Sequence, residues 1–174
     1  MNSMDHGSTD QVWRWLSELP DPEIPVISVI DLGIVRDVGW DNDTLVVTVT
    51  PTYSGCPATA AINLDIEQAL SAHGLRKVRL ERRLSPPWTT DWIGTEAREK
   101  LRRYGIAPPM EGTPADGRLA ARLGRLTGAG NASVSCPHCG SDQTEKVSQF
   151  GSTPCKASYR CQTCLEPFEY FKCI

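Results

Sequence analysis

Two C-x-x-C pairs close the chain: Cys136 with Cys139, and Cys161 with Cys164. Each pair sets two thiolates across a tight turn, and Gly140 supplies backbone freedom just after the first. Between Cys139 and Cys161 lie 21 residues, enough for a hairpin to bring the pairs together around one tetrahedral ion. Zinc is the expected metal. Four thiolates also suit iron or an iron–sulfur cluster, and a disulfide cluster is the metal-free alternative that a reducing compartment disfavours. The segments TEKVSQF, ASYR and EPFEYFK read as three short strands of a ribbon. A ribbon of this length buries little core, so metal binding supplies much of its folding free energy. Cys155 and Cys173 are further thiols near the site, either buried as small hydrophobes or serving as alternative ligands, and His138 should face solvent.

The seventh cysteine, Cys56, stands apart in TPTYSGCPATAA. It immediately precedes a helical pattern, where backbone N–H groups and the helix dipole favour a thiolate. The bland reading is a cysteine packed beneath its loop. A hydrolytic nucleophile would need a base, and His6 and His73, the histidines outside the ribbon, are poorly placed in sequence. No phosphate-cradling glycine loop or dinucleotide fingerprint is present in the sequence. A metal-ligand role for Cys56 therefore outranks a catalytic one.

The elements that position these cysteines can be read from pattern. Ser8 and Gln11 have capping-box spacing ahead of Val12, Trp15, Leu16 and Leu19, which predicts a helix closed by Pro20. DPEIPVISVIDLGIV is apolar but interrupted by Pro22, Pro25 and Gly33, hence partly loop. Strands are expected at 34–40 and 44–50 around Asp41-Asn42-Asp43, and again near 76–84. Between them Ile62, Ile66, Ala69, Leu70 and His73 line one face of a helix that starts after Pro57 and ends at Gly74. A further helix runs from about Thr95 to Tyr104. The expected fold is α+β, a small mixed sheet with helices followed by a four-cysteine ribbon of short antiparallel strands. Its parts are an α+β domain at 8–106, a Gly/Ala/Pro-rich linker at 107–133 and the ribbon at 134–174.

Charge limits the partners. The chain carries a formal net charge of −3. From Val134 onward, Lys146, Lys156, Arg160 and Lys172 are matched by Asp142, Glu145, Glu166 and Glu169, and bound thiolates would add negative charge. A phosphate-tracking surface should be positive, so nucleic acid is not expected. The aromatics Phe150, Tyr159, Phe168, Tyr170 and Phe171 form either a small core or a protein-docking face, and docking is favoured. No apolar run is long enough to span a bilayer, and the polar N-terminus does not read as a secretory signal, so the expected location is cytoplasmic, without membrane contact.

DPEIPVISVIDLGIVRDV followed by TPTYSGCPA resembles the paired signature of the SufT-like iron–sulfur assembly family, over roughly residues 10–105. SPPWTTDWI and the ribbon VSCPHCGS…FGSTPCKASYRCQTCLEPFEYFKC extend the resemblance to the PaaD family, encoded with the bacterial phenylacetyl-CoA ring-epoxidising monooxygenase. The resemblance implies an accessory protein of phenylacetate catabolism, not itself an enzyme. It would support iron or iron–sulfur centre assembly through contacts with oxygenase or reductase components, and with iron–sulfur assembly proteins. The alternative is a non-catalytic structural member of the oxygenase complex. Carried over residue by residue, the acidic signature falls on Asp21, Glu23 and Asp31 and the family cysteine on Cys56, with Thr50, Thr52 and Ser54 as polar neighbours. Together they form a candidate site for a transient iron ion or cluster, beside the ribbon's one structural zinc. The competing use of Asp21 and Asp31 is as turn caps.

Overall fold

In the computed structural model, the residues described are 8–110 and 133–172. The chain divides into two compact units, Met1–Trp88 and Thr89–Ile174. The first opens with α1 (Thr9–Ser17), whose capping box is formed as the sequence predicts: Ser8 accepts from the Gln11 amide, and the Gln11 side chain accepts from the Ser8 amide. An irregular segment leads into β1 (Val35–Asp41) and, through a turn at Asn42, β2 (Thr44–Val49). Asn42 takes a φ of 55°, a left-handed conformation that asparagine tolerates. Then come α2 (Ala58–Ala72) and β3 (Val78–Arg82). β1 pairs antiparallel with β2, and β3 pairs parallel with β2. The parallel pair needs a crossover, and α2 is that crossover.

Val12 and Leu16 of α1, Ile62, Ile66 and Leu70 of α2, and Leu45, Val47 and Val49 of β2 are all buried, the period-3.6 and period-2 faces the sequence marks out. His73 is not on that face. It is exposed at the C-cap of α2 and stacks on Trp15 of α1, with ring centroids 4.0 Å apart. Gly74 follows at φ +86° and closes the helix, its amide and that of Leu75 bonding back to Ser71 and Leu70. β3 is an edge strand and only partly buried.

The second unit begins with a 3-10 turn (Thr90–Trp92) and α3 (Thr95–Tyr104), which ends at Gly105 with φ +92°. Arg98 of α3 is buried. Its guanidinium donates to the carbonyls of Thr90, Ile93 and Pro109, drawing the start and end of this segment together. A two-residue strand, β4 (Ile106–Ala107), pairs parallel with β7 (Pro167–Phe171), beyond β5 (Thr144–Ser148) and β6 (Lys156–Cys161). The sheet order is β4-β7-β6-β5.

The sequence placed a boundary at 106, with a three-stranded ribbon beyond it. The compact units divide at Trp88/Thr89; β4 supplies a fourth strand to the ribbon sheet, and Ala107 joins the core of Val134, Cys136, Cys161, Phe168 and Tyr170. Most of the expected linker, 111–132, lies outside the described residues, as do Cys173 and His6.

Candidate functional site

The ribbon turns hold the thiols. Cys136 and Cys161 are fully buried, Cys164 is half-buried and Cys139 is exposed. All four sulfurs lie within 4.8 Å of one another. Sγ–Sγ is 3.7 Å for Cys136 and Cys164, and 3.6 Å for Cys139 and Cys161. A tetrahedron with metal–sulfur bonds of about 2.3 Å has edges of about 3.8 Å, so these separations fit a four-thiolate ion, whereas a disulfide requires about 2.05 Å. The two knuckles share one backbone device: the residue after each second cysteine has positive φ, Gly140 at 74° and Leu165 at 66°. The amides of Thr163 and Cys164 point at Cys161 Sγ, each at 3.4 Å.

Without a cation the thiols cannot all ionise side by side. The Cys164 amide, with that of Thr163, draws Cys161 down to about 6. Cys164 itself is pushed up to about 12 by burial and by its neighbouring thiols, although the Glu166 amide favours its thiolate. A divalent ion removes that conflict, and its role in this closed, four-ligand site is to hold the fold together.

Among the described residues this is the one group of three or more ligating side chains, and Cys155 does not belong to it. Cys155 is buried in the same unit, its sulfur 3.0 Å from Thr153 Oγ1. His138 is exposed, as expected, and its ring lies against Gly105, where an added Cβ would come within 3.1 Å of it. The aromatics divide differently from the docking face expected. Phe168, Tyr170 and Phe171 are buried in the ribbon core, and Tyr159 packs against Phe168 and Tyr170. Only Phe150 of the set is strongly exposed, at 62%.

Cys56 lies at the start of α2, partly exposed, with its amide bonded to the Tyr53 carbonyl. Arg82 at the end of β3 donates to the Ser54 carbonyl and anchors the cysteine loop. Cys56 lines a small cleft with Ile34, Val49, Pro51 and Ile62 as its apolar wall. Thr52, Thr59 and Asn63 also line it. Thr59 Oγ1 and Asn63 Oδ1 are buried, and neither has a hydrogen-bond partner among the described residues; the same is true of Thr50 Oγ1. Sequence reading missed Thr59 and Asn63. Their signal was present, since Cys56, Thr59 and Asn63 fall at i, i+3 and i+7, one helical face.

Two of the acidic residues accept hydrogen bonds from nearby backbone amides. Asp21 is buried and its Oδ1 accepts from the Glu23 and Ile24 amides, at 2.9 and 2.8 Å. Asp31 Oδ2 accepts from the Ser28 amide while Ser28 Oγ accepts from the Asp31 amide, both at 3.0 Å. These bonds shape the irregular segment before β1, as turn caps do. No ligating group of three or more that includes Cys56 forms with Asp21, Glu23 or Asp31 among the described residues.

A four-thiol ribbon following an α/β unit with one cysteine at a helix start defines a class of two-part, metal-stabilised proteins. Residues 122–172 match the PaaD zinc beta ribbon domain, and residues 9–79 match a family described as iron–sulfur cluster assembly protein. A protein of Escherichia coli (strain K12), named as the D component of "Putative 1,2-phenylacetyl-CoA epoxidase", is 46% identical, over 94% of this chain and 92% of its own length. A Porphyromonas gingivalis (strain ATCC BAA-308 / W83) Fe-S protein maturation auxiliary factor is 34% identical, over 58% of this chain and 97% of its own. The crystal structure of a domain of unknown function, DUF59, from Bacillus anthracis is 28% identical, covering 53% of this chain and 89% of that one, with a TM-score of 0.49. The chain belongs to the PaaD family.

Proposed function

We propose that this protein is a cytoplasmic accessory factor that supports assembly of iron or iron–sulfur centres in a phenylacetyl-CoA epoxidase system, acting through protein contacts. The observation that carries the reading is the union, in one chain 46% identical to an epoxidase component, of an iron–sulfur assembly match at 9–79 with a zinc ribbon match at 122–172. The ribbon's zinc is structural. Cys56 is the thiol that meets iron, and the other ligands come from the client or a donor protein. Asp21 and Asp31 position the loop rather than bind metal.

The cleft supports a ligand of few atoms. Its free space of about 10 Å³ is roughly that of one water, far below the ~300–1,000 Å³ typical of small-molecule sites, which argues against an enzyme acting on a CoA ester. The test is a strain in which Cys56→Ala replaces the wild type. Iron and sulfide in the purified oxygenase and reductase should fall, and undiminished content would sink the proposal. The relative's name, which places it within an epoxidase, favours a second reading as a non-catalytic structural member of the oxygenase. A stable equimolar place in the purified active complex would select that reading.

A further inference from the structure

At the free edge of the ribbon sheet two lysines converge on one residue. Lys146 Nζ donates to Gln149 Oε1 at 3.2 Å, and Lys172 Nζ donates to the Gln149 carbonyl at 3.1 Å. The Lys172 ammonium stands 4.8 Å from the centroid of Phe150, and that of Lys146 stands 5.9 Å from the centroid of Tyr159. Phe150 and Val147, on the same short segment, are 62% and 63% exposed. Some other lysines and arginines pair with carboxylates, among them Lys156 with Glu169 and Arg102 with Glu99, while Arg82 and Arg98 donate to backbone carbonyls. Among the described residues Lys146 and Lys172 have no such ion pair. Burial, with the like charge of Lys146 adding to it, holds Lys172 below the usual lysine value against the opposing pull of Cys155. Two cations and two exposed apolar side chains thus lie on or beside one short segment, and neither cation has an ion pair among the described residues.

Part of this arrangement protects the edge strand. β5 is bulged between Lys146 and Ser148, and a bulge with a lysine deters strand-on-strand pairing. Protection does not call for an exposed phenylalanine beside a second lysine, and the bulge leaves side chains rather than backbone to make any contact. We propose that Lys146, Val147, Phe150 and Lys172 form a docking surface for an acidic segment of a partner protein. Its carboxylates meet the two ammonium groups and an apolar side chain covers Phe150 and Val147. Charge complementarity selects the acidic partner. Nucleic acid fits less well, because Val147 has no face for base stacking, Glu145 flanks the patch, and the ribbon's four basic residues are matched by four acidic ones. The surface is independent of Cys56, so it stands whichever function the cleft serves.

The experiment is an NMR titration of the zinc-loaded, isotope-labelled full chain with the blocked hexapeptide Glu-Glu-Leu-Glu-Glu-Leu at low ionic strength. Saturable shifts are expected at residues 146–150 and 172, and none with a peptide carrying Gln for Glu. Lys146→Gln and Lys172→Gln should each weaken binding about two- to fivefold, the worth of an exposed ion pair, and their combination about tenfold. Phe150→Ser should weaken it even at high salt. Retained zinc and unchanged sheet amide dispersion certify that each variant is folded. The proposal fails if shifts are absent or lie elsewhere, or if the double lysine variant binds within twofold of wild type. It fails equally if an oligothymidylate binds these residues more tightly than the peptide does.

Discussion

Replacing Glu169 by glutamine changes one charge and almost no volume, at the point where the ribbon holds its one buried ion pair among the described residues. Lys156, on β6, has a side chain only 4% exposed, and its ammonium is 2.8 Å from Glu169 Oε2 on β7; the Glu169 side chain is 27% exposed. The carboxylate also accepts from the Ser152 amide and hydroxyl. Gly151 leaves it room, since a Cβ there would sit 2.5 Å from Glu169 Oε1. Burial alone would raise the Glu169 carboxyl, but Lys156 and Ser152 more than offset it and hold it below the usual range. Removing one partner of a fully buried pair costs about 3–5 kcal/mol, because the other charge is stranded. Glu169 is a quarter exposed, so water screens part of that loss, and about 2 kcal/mol is expected for Glu169→Gln. That is roughly a thirtyfold rise in local opening. Amide hydrogen exchange along β6 and β7 reads this directly, without assuming that the two units unfold together. Because the folded carboxyl is depressed, its contribution is complete above about pH 4.3 and is lost only as pH falls below that, so the wild-type advantage should stay constant from pH 8 to 5. Adding Lys156→Met to the variant should recover part of the loss by removing the stranded charge. Opening within threefold of wild type in Glu169→Gln, with no rescue by the second change, would refute the argument.

Removing zinc with a chelator should collapse amide protection in β5–β7, while α1, α2 and β1–β3 keep theirs. Restoring one equivalent should recover it, and acidification should release the metal as protons compete for the four thiolates. Leu165 pays for its left-handed φ of 66° in a knuckle where the other turn uses glycine. Leu165→Gly should therefore be neutral to about 1 kcal/mol stabilising in thermal unfolding, and Gly140→Ala about 1–2 kcal/mol destabilising. Thr59→Val deletes a buried hydroxyl that has no hydrogen-bond partner among the described residues, so it should leave the melting temperature unchanged or raise it. The same variant should impair client iron loading if the Cys56 cleft is the working site.

Local spacing alone identified the four ribbon thiols, the Ser8–Gln11 cap and the buried stripe of α2, because each is a relation among residues a few positions apart in one element. What lay between distant segments was not legible. β4 is two residues long, too short for any period, and is a strand only because β7 lies beside it. Phe168, Tyr170 and Phe171 carry the same aromatic signal as Phe150, yet the β6–β7 register buries three and leaves the fourth in solvent. Asp21 and Asp31 have the chemistry of metal ligands, and the fold sets one oxygen of each against backbone amides in the loop before β1, which spacing could not show. The four-thiol site could be read in advance because its ligands come in adjacent pairs that one hairpin can unite. The surroundings of Cys56 depend on which segments pack against α2, and that is set by the tertiary structure.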